Sequence, residues 1–164
     1  MVTYYSRILH QTWLGAAMSG GVPWLWPLFE VLHIVGLALV MGCVLVLDLR
    51  TLGVVKGVAF APLRRLIPWG AFGFAINLVT GVGFYAGFPG QYMSWTFLFK
   101  MLLVALAGIN VLAFHASGLS RAVASAETGR AVPPAAKLSA AVSLALWTGV
   151  IWCGRMLQVF SDTF

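Results

Sequence analysis

The chain has 164 residues, 61% of them hydrophobic and 9% charged, whereas a soluble domain is about 45–50% apolar and about 25% charged. It therefore lacks the polar residues to cover a water-facing surface and reads as an all-α integral membrane protein. At about 20 apolar residues per transmembrane helix there is room for four or five spans and none for a separate soluble catalytic domain, and the net charge of +6 is grouped in two connections rather than spread as a nucleic-acid footprint.

The first expected element is residues 1–22. Tyr5, Leu9, Trp13 and Ala16 recur at helical spacing, which predicts an amphipathic helix on the external membrane face with His10 near the outer rim. Arg7, His10 and Gln11 interrupt the apolar run that a signal peptide needs, which argues against cleavage. Residues 23–164 are expected to form a single four-span bundle. Span one, 24–47, is entered through Pro23, Trp24, Trp26 and Pro27, residues suited to an interfacial belt and a helix start, and stops at Asp48-Leu49-Arg50. Span two, 66–87, ends in the turn Gly87-Phe88-Pro89-Gly90. Span three, 95–117, leads into an Ala/Ser/Gly-rich connection containing Pro133-Pro134, and span four covers 138–160.

Loop charge orients these spans. Arg50, Lys56, Arg64 and Arg65 fall in one connection and Arg121, Arg130 and Lys137 in another, while 88–96 carries no charge. The positive-inside rule makes the first two cytoplasmic and the third external, with both termini outside. Cys43 and Cys153 then lie toward opposite faces, so no disulfide is expected between them.

The segment Leu28-Phe29-Glu30-Val31-Leu32 resembles Leu98-Phe99-Lys100-Met101-Leu102, and Leu78-Val79-Thr80-Gly81-Val82 resembles Leu146-Trp147-Thr148-Gly149-Val150. A parallel duplication of two-span units follows, which places Glu30 and Lys100 at one depth. Glu30 and His33 share a helix face, and with Lys100, Arg155 and Gln158 they converge on the outer third of the bundle. Charges at that depth are costly and are paired or functional. The bland account is a rivet of Glu30 with snorkelling bases; it leaves His33 unexplained. A second polar set lies toward the cytoplasm: Asp48 with Arg50 or with the Arg64-Arg65 pair, read as a helix-end salt bridge, with Asn110 as interhelical glue and His115 as an interfacial histidine.

Three chemistries can be set against these spacings. The Glu30-x-x-His33 half-site of a di-iron centre would need a second copy and two more glutamates, but the only other glutamate is Glu127. A Ser-His-Asp hydrolase fails for want of a nucleophile elbow. Haem b needs one or two histidine ligands beside small and aromatic residues, with bases for its propionates, and His33, Gly36, Phe84, Lys100 and Arg155 can supply them. His115 lies about 18 Å deeper than His33 by helical rise, so one iron cannot take both. The partner ligand is His10, if the N-terminal helix folds back, or a methionine.

The pattern Trp24-Leu25-Trp26-Pro27, Glu30-x-x-His33-x-x-Gly36, Asp48-Leu49-Arg50, Thr80-Gly81, Phe99-Lys100, Asn110, Phe114-His115 and Gly154-Arg155 resembles a family of small bacterial inner-membrane proteins of unknown function. More distantly it is similar to the copper-resistance D type of membrane protein. The resemblance implies the architecture and a bacterial inner-membrane location; the copper-resistance relatives imply metal passage, yet the six Met form no MxxM or MxxxM ladder. The expectation is an antiparallel four-helix transmembrane bundle with an N-terminal interfacial helix. It acts as a small redox subunit that binds haem b or a quinone through His33, the one metal ligand, with Glu30, Lys100, Arg155 and His10 around it. Its expected partners are the lipid bilayer and an external redox protein or a larger membrane complex, with homo-oligomers left open; a copper or small-solute permease and a structural anchor are the alternatives.

Overall fold

The computed structural model describes residues 8, 10–55, 57–90, 92, 94–126 and 131–160, apart from the side chains of 158 and 160. Tyr5, Leu9, Arg7, Lys56, Glu127 and Arg130 lie outside the described residues, as does the side chain of Gln158. All regular structure among the described residues is helical: α1 (Trp13–Ala16) runs into a π-helical turn (Ala17–Gly21), followed by α2 (Leu25–Leu52), α3 (Phe60–Leu63) with a 3-10 turn (Arg64–Leu66), α4 (Ile67–Gly87), α5 (Trp95–Ala116), α6 (Leu119–Ser125) and α7 (Pro134–Phe160). Four helices are long and apolar enough to cross a membrane. Their outer surfaces carry Trp95, Leu112, Val79 and Ile34, all exposed, a surface that suits lipid.

Each boundary has a local cause. Helix α2 runs past the expected stop at Asp48, because charged residues do not end a helix; Gly53 does. It adopts φ 85 and returns its N–H to Arg50 O, while Val54 N bonds Leu49 O, and only glycine takes this left-handed cap without strain. Helix α5 starts on Ser94, whose side chain accepts from Phe97 N at 3.3 Å. Helix α7 starts at Pro134, four residues before the expected 138, since proline suits the first turn, where its missing N–H costs nothing.

The closest backbone packing joins α2 to α4, α5 to α7, and α2 to α7. Along the first seam the contacts pair Phe29 with Gly83, Gly36 with Gly73 and Asn77, Val40 with Gly73, and Cys43 with Gly70. Glycines make the seam possible. A Cβ on Gly73 would lie 2.6 Å from Gly36 O and 2.7 Å from Leu39 Cβ, and one on Gly36 2.7 Å from Gly73 O. Such close approach lets two membrane helices gain dispersion contacts where lipid removes the hydrophobic drive between them. Aromatic rings do the equivalent work between α4 and α5, where Tyr85 stacks on Phe97 at 6.3 Å and both meet Tyr92.

At the Gly87 end, the segment 13–21 packs on α4 and α2. Its packed face is Gly15, Ala17 and Met18, with Met18 1% exposed against Gly87. Trp13 and Ala16, two residues of the expected apolar stripe, are exposed on the protein surface, and the slot left by Gly87 takes Met18. At the opposite end, α3, α6 and the start of α7 close over Phe60, Val123 and Ala136, with Phe114, Leu119 and Val132 packed around them. The connection between the third and fourth spans thus contains a helix, α6.

Candidate functional site

His33 occupies the α2–α4 seam near the Gly87 end. Its Nδ1 lies 2.7 Å from Thr80 Oγ1, and its ring meets Phe84 edge-on at a centroid distance of 5.4 Å. The Thr80 hydroxyl has one proton, directed to Ile76 O at 2.8 Å, with Asn77 O at 3.3 Å. With the proton so placed, the Thr80 oxygen accepts at His33, the tautomer in which Nδ1 is protonated and the lone pair lies on Nε2. No described residue hydrogen-bonds Nε2. This division, in which one nitrogen is held by an acceptor and the other offered, is how proteins orient a histidine toward a metal or a proton donor. Thr80 is 2% exposed, so the relay is sheltered.

Lys100 comes to the same region from α5. Its Nζ lies 3.6 Å from where a Gly154 Cβ would sit, and it interacts electrostatically with Cys153 and His33. Glu30 does not meet it: no ion pair between the two is formed. The Glu30 charge is felt instead by Tyr92, on the α4–α5 connection, whose phenol is pushed up to about 12 by burial first and by that carboxylate second. The rivet expected from equal depth is absent because the Lys100 stem lies along α7, in the space that Gly154 leaves open. Arg155 is exposed on α7 beside Gly154.

His10 docks on the end of α4, Nδ1 donating to Ala86 O at 3.1 Å. A carbonyl only accepts, so Nε2 carries the lone pair here too. Thr80 and Ala86 are six residues apart, about 9 Å of rise, which sets the axial offset of the two histidines. His115 is exposed and bonded to Val111 O. It lies fifteen residues from Lys100 on α5, about 22 Å, and cannot share a ligand with His33.

The second polar set is held by α7. Asn110 Nδ2 donates to Ser139 O at 3.0 Å and Ser139 Oγ donates to Asn110 Oδ1 at 3.0 Å, so one residue latches α5 to α7 twice. Asp48 accepts from Ser143. The expected salt bridge with Arg50 is not formed. Arg50 Nε donates to Val58 O and the guanidinium lies 4.3 Å from the Phe60 ring centroid, because Gly53 turns the chain back over it. Sequence reading also missed Asn77, whose Nδ2 donates to Gly73 O at 3.0 Å while its buried Oδ1 has no partner. Cys43 and Cys153 are free and buried, and Cys43 Sγ donates to Leu66 O at 3.0 Å.

Two open clefts adjoin this end. One, of about 300 Å³, is lined by Met18, Ser19, Gly20, Trp26 and Phe88. The other, of about 360 Å³, lies between α5 and α7 against Trp95, Phe99, Trp152, Cys153 and Met156. His33 lines neither, and the rings of Phe29 and Phe84 close the seam beside it. Haem b thus finds a donor atom and a cation here, beside a seam in which the rings of Phe29 and Phe84 are packed together. Among the described residues no three His, Cys, Asp or Glu side chains group as a metal site. The chain matches no protein-family model, no curated protein and no solved structure.

Proposed function

We propose that the chain is a small redox subunit of the bacterial inner membrane. Its four spans form an antiparallel bundle with both termini external and the N-terminal segment lying on the outer rim, and His33 is its working group. The observation that carries this reading is the Ile76–Thr80–His33 relay, which leaves a nitrogen lone pair unused in the outer half of an apolar bundle. An unused lone pair can accept a quinol hydroxyl proton, and His33 would be the residue to hold the iron were haem b bound. Lys100 supplies the nearby cation for a quinone oxygen or a propionate. Space favours the quinone, a small flat ring on a flexible tail. The electrons pass to an external redox protein or a larger complex.

An absorption spectrum and a lipid extract of the detergent-purified protein test the reading together. Bound quinone, lost in His33→Ala and kept in His115→Ala, supports it, as would a dithionite-reducible Soret band with the same dependence. A colourless, quinone-free preparation from replete cells refutes it. The copper-permease reading has one observation in its favour: Cys153 and Met156, two soft donors, line the same cleft. Copper in the purified protein, lost in Cys153→Ser, would favour it.

A further inference from the structure

Asp48 lies at the other end of α2 from His33, fifteen residues away, about 22 Å of rise. One of its oxygens accepts from the Ser143 hydroxyl of α7, itself 7% exposed. The other, Oδ2, is sealed from solvent and has no hydrogen-bond partner. Small residues bring α7 this close: Ala136 and Ala140 continue the same buried face.

Among the described residues, the charged and titratable groups at this end turn elsewhere; Lys56, Glu127 and Arg130 of the same connections lie outside them. Arg50, on α2 itself, is committed to Val58 O and the Phe60 ring. Arg64 and Arg65, in the turn leading into α4, are exposed, as are Lys137 on α7 and Arg121 on α6. His115 of α5 is exposed and bonded to Val111 O. Asn110, the polar residue of α5 nearest this level, is neutral and satisfied by Ser139. None of these described groups forms an ion pair with Asp48. Asp48 is half-buried, with Oδ2 sealed and no cation on it among the described residues; ionised, that oxygen carries an uncompensated charge, whereas the neutral acid leaves one hydrogen bond unmet, and carboxyls so placed resolve this by taking a proton.

We propose that Asp48 is a proton-binding site: a carboxylic acid held by Ser143 between α2 and α7, which takes its proton from the arginine-rich end of the bundle. The proposal stands apart from the redox reading, since it uses none of the groups around His33.

Dicyclohexylcarbodiimide, an apolar reagent that adds to protonated carboxyls, tests it on the full chain in liposomes, read by peptide mass spectrometry. At neutral pH the adduct is expected on Asp48 and not on Glu30, and it disappears in Asp48→Asn, an isostere of the neutral acid. Infrared difference spectra of wild type against Asp48→Asn should show the carbonyl stretch of a protonated carboxyl, displaced to higher frequency in Ser143→Ala, where the hydrogen bond is lost. A carboxylate band at that difference, with Asp48 unlabelled while the SDS-unfolded chain labels normally, overturns the proposal whatever cofactor the protein carries.

Discussion

Gly73→Ala measures how much of the fold depends on the α2–α4 seam. The added methyl would meet Gly36 O at 2.6 Å, Leu39 Cβ at 2.7 Å and Val40 N at 3.2 Å. These are main-chain and Cβ atoms that cannot rotate away, so the two helices must separate locally. Overpacking of this kind costs about 1–3 kcal/mol, against a gain of about 0.5–1 kcal/mol for replacing a helical glycine with alanine. A net loss of up to about 2.5 kcal/mol follows, centred on about 1 kcal/mol. Gly108→Ala is the internal control: no atom lies within 4 Å of its Cβ position, so only the helix-propensity gain remains. SDS-driven unfolding of the detergent-purified chain, followed by tryptophan fluorescence, compares the two variants on one scale. Gly73→Ala should unfold at lower SDS than wild type and Gly108→Ala at equal or higher SDS. A Gly73→Ala variant as stable as Gly108→Ala would refute the seam geometry and with it the placement of His33.

Thr80→Val keeps the shape of the seam and removes the acceptor at His33 Nδ1, so the imidazole nitrogens in a ¹⁵N-labelled sample should change from a fixed tautomer to an exchanging mixture while helix content holds. Asn110→Leu breaks both bonds to Ser139 and should lower stability by about 1 kcal/mol, with a coupling to Ser139→Ala of about 0.6–1.7 kcal/mol in a double-mutant cycle. Tyr92 holds its proton up to about pH 12 in the fold, above the ordinary value near 10. Its contribution to stability is therefore complete below pH 10 and lost as pH rises through 12, a decline that Tyr92→Phe should remove from alkaline unfolding curves. Reporters fused after Phe164 and inserted at Arg130 should be active outside and inside the membrane, respectively; an external Arg130 would reverse the bundle.

The spans were legible because length and apolarity are properties of a segment by itself. The four long helices lie where 20-residue apolar runs lie, and their errors are boundary errors with local causes: Gly53 and not Asp48 ends α2, and Pro134 begins α7. The seams were less legible. Gly36 was noted as small space beside a histidine, but its partner Gly73 lies 37 positions away, and nothing in either segment says which faces will meet. His33 was visible as a polar residue in an apolar run, whereas its tautomer depends on where the Thr80 proton goes, a question that arises only once α4 lies against α2.

The two acids of α2 show what depth alone leaves undetermined. Placing Glu30 opposite Lys100 treats each helix as a ruler, and placing Asp48 beside Arg50 treats proximity in sequence as proximity of charge. A long cation is steered by where its methylene stem finds room, and the openings are made by glycines. Lys100 follows Gly154 onto α7, while Arg50 follows the turn at Gly53 to Val58 and Phe60. Among the described residues each acid is therefore left to neutral partners, Glu30 near Tyr92 and Asp48 at Ser143. Opposite charges a turn apart will pair only if the small residues around them permit it, so in a chain with 18 glycines the glycine pattern has to be read before the charges are matched.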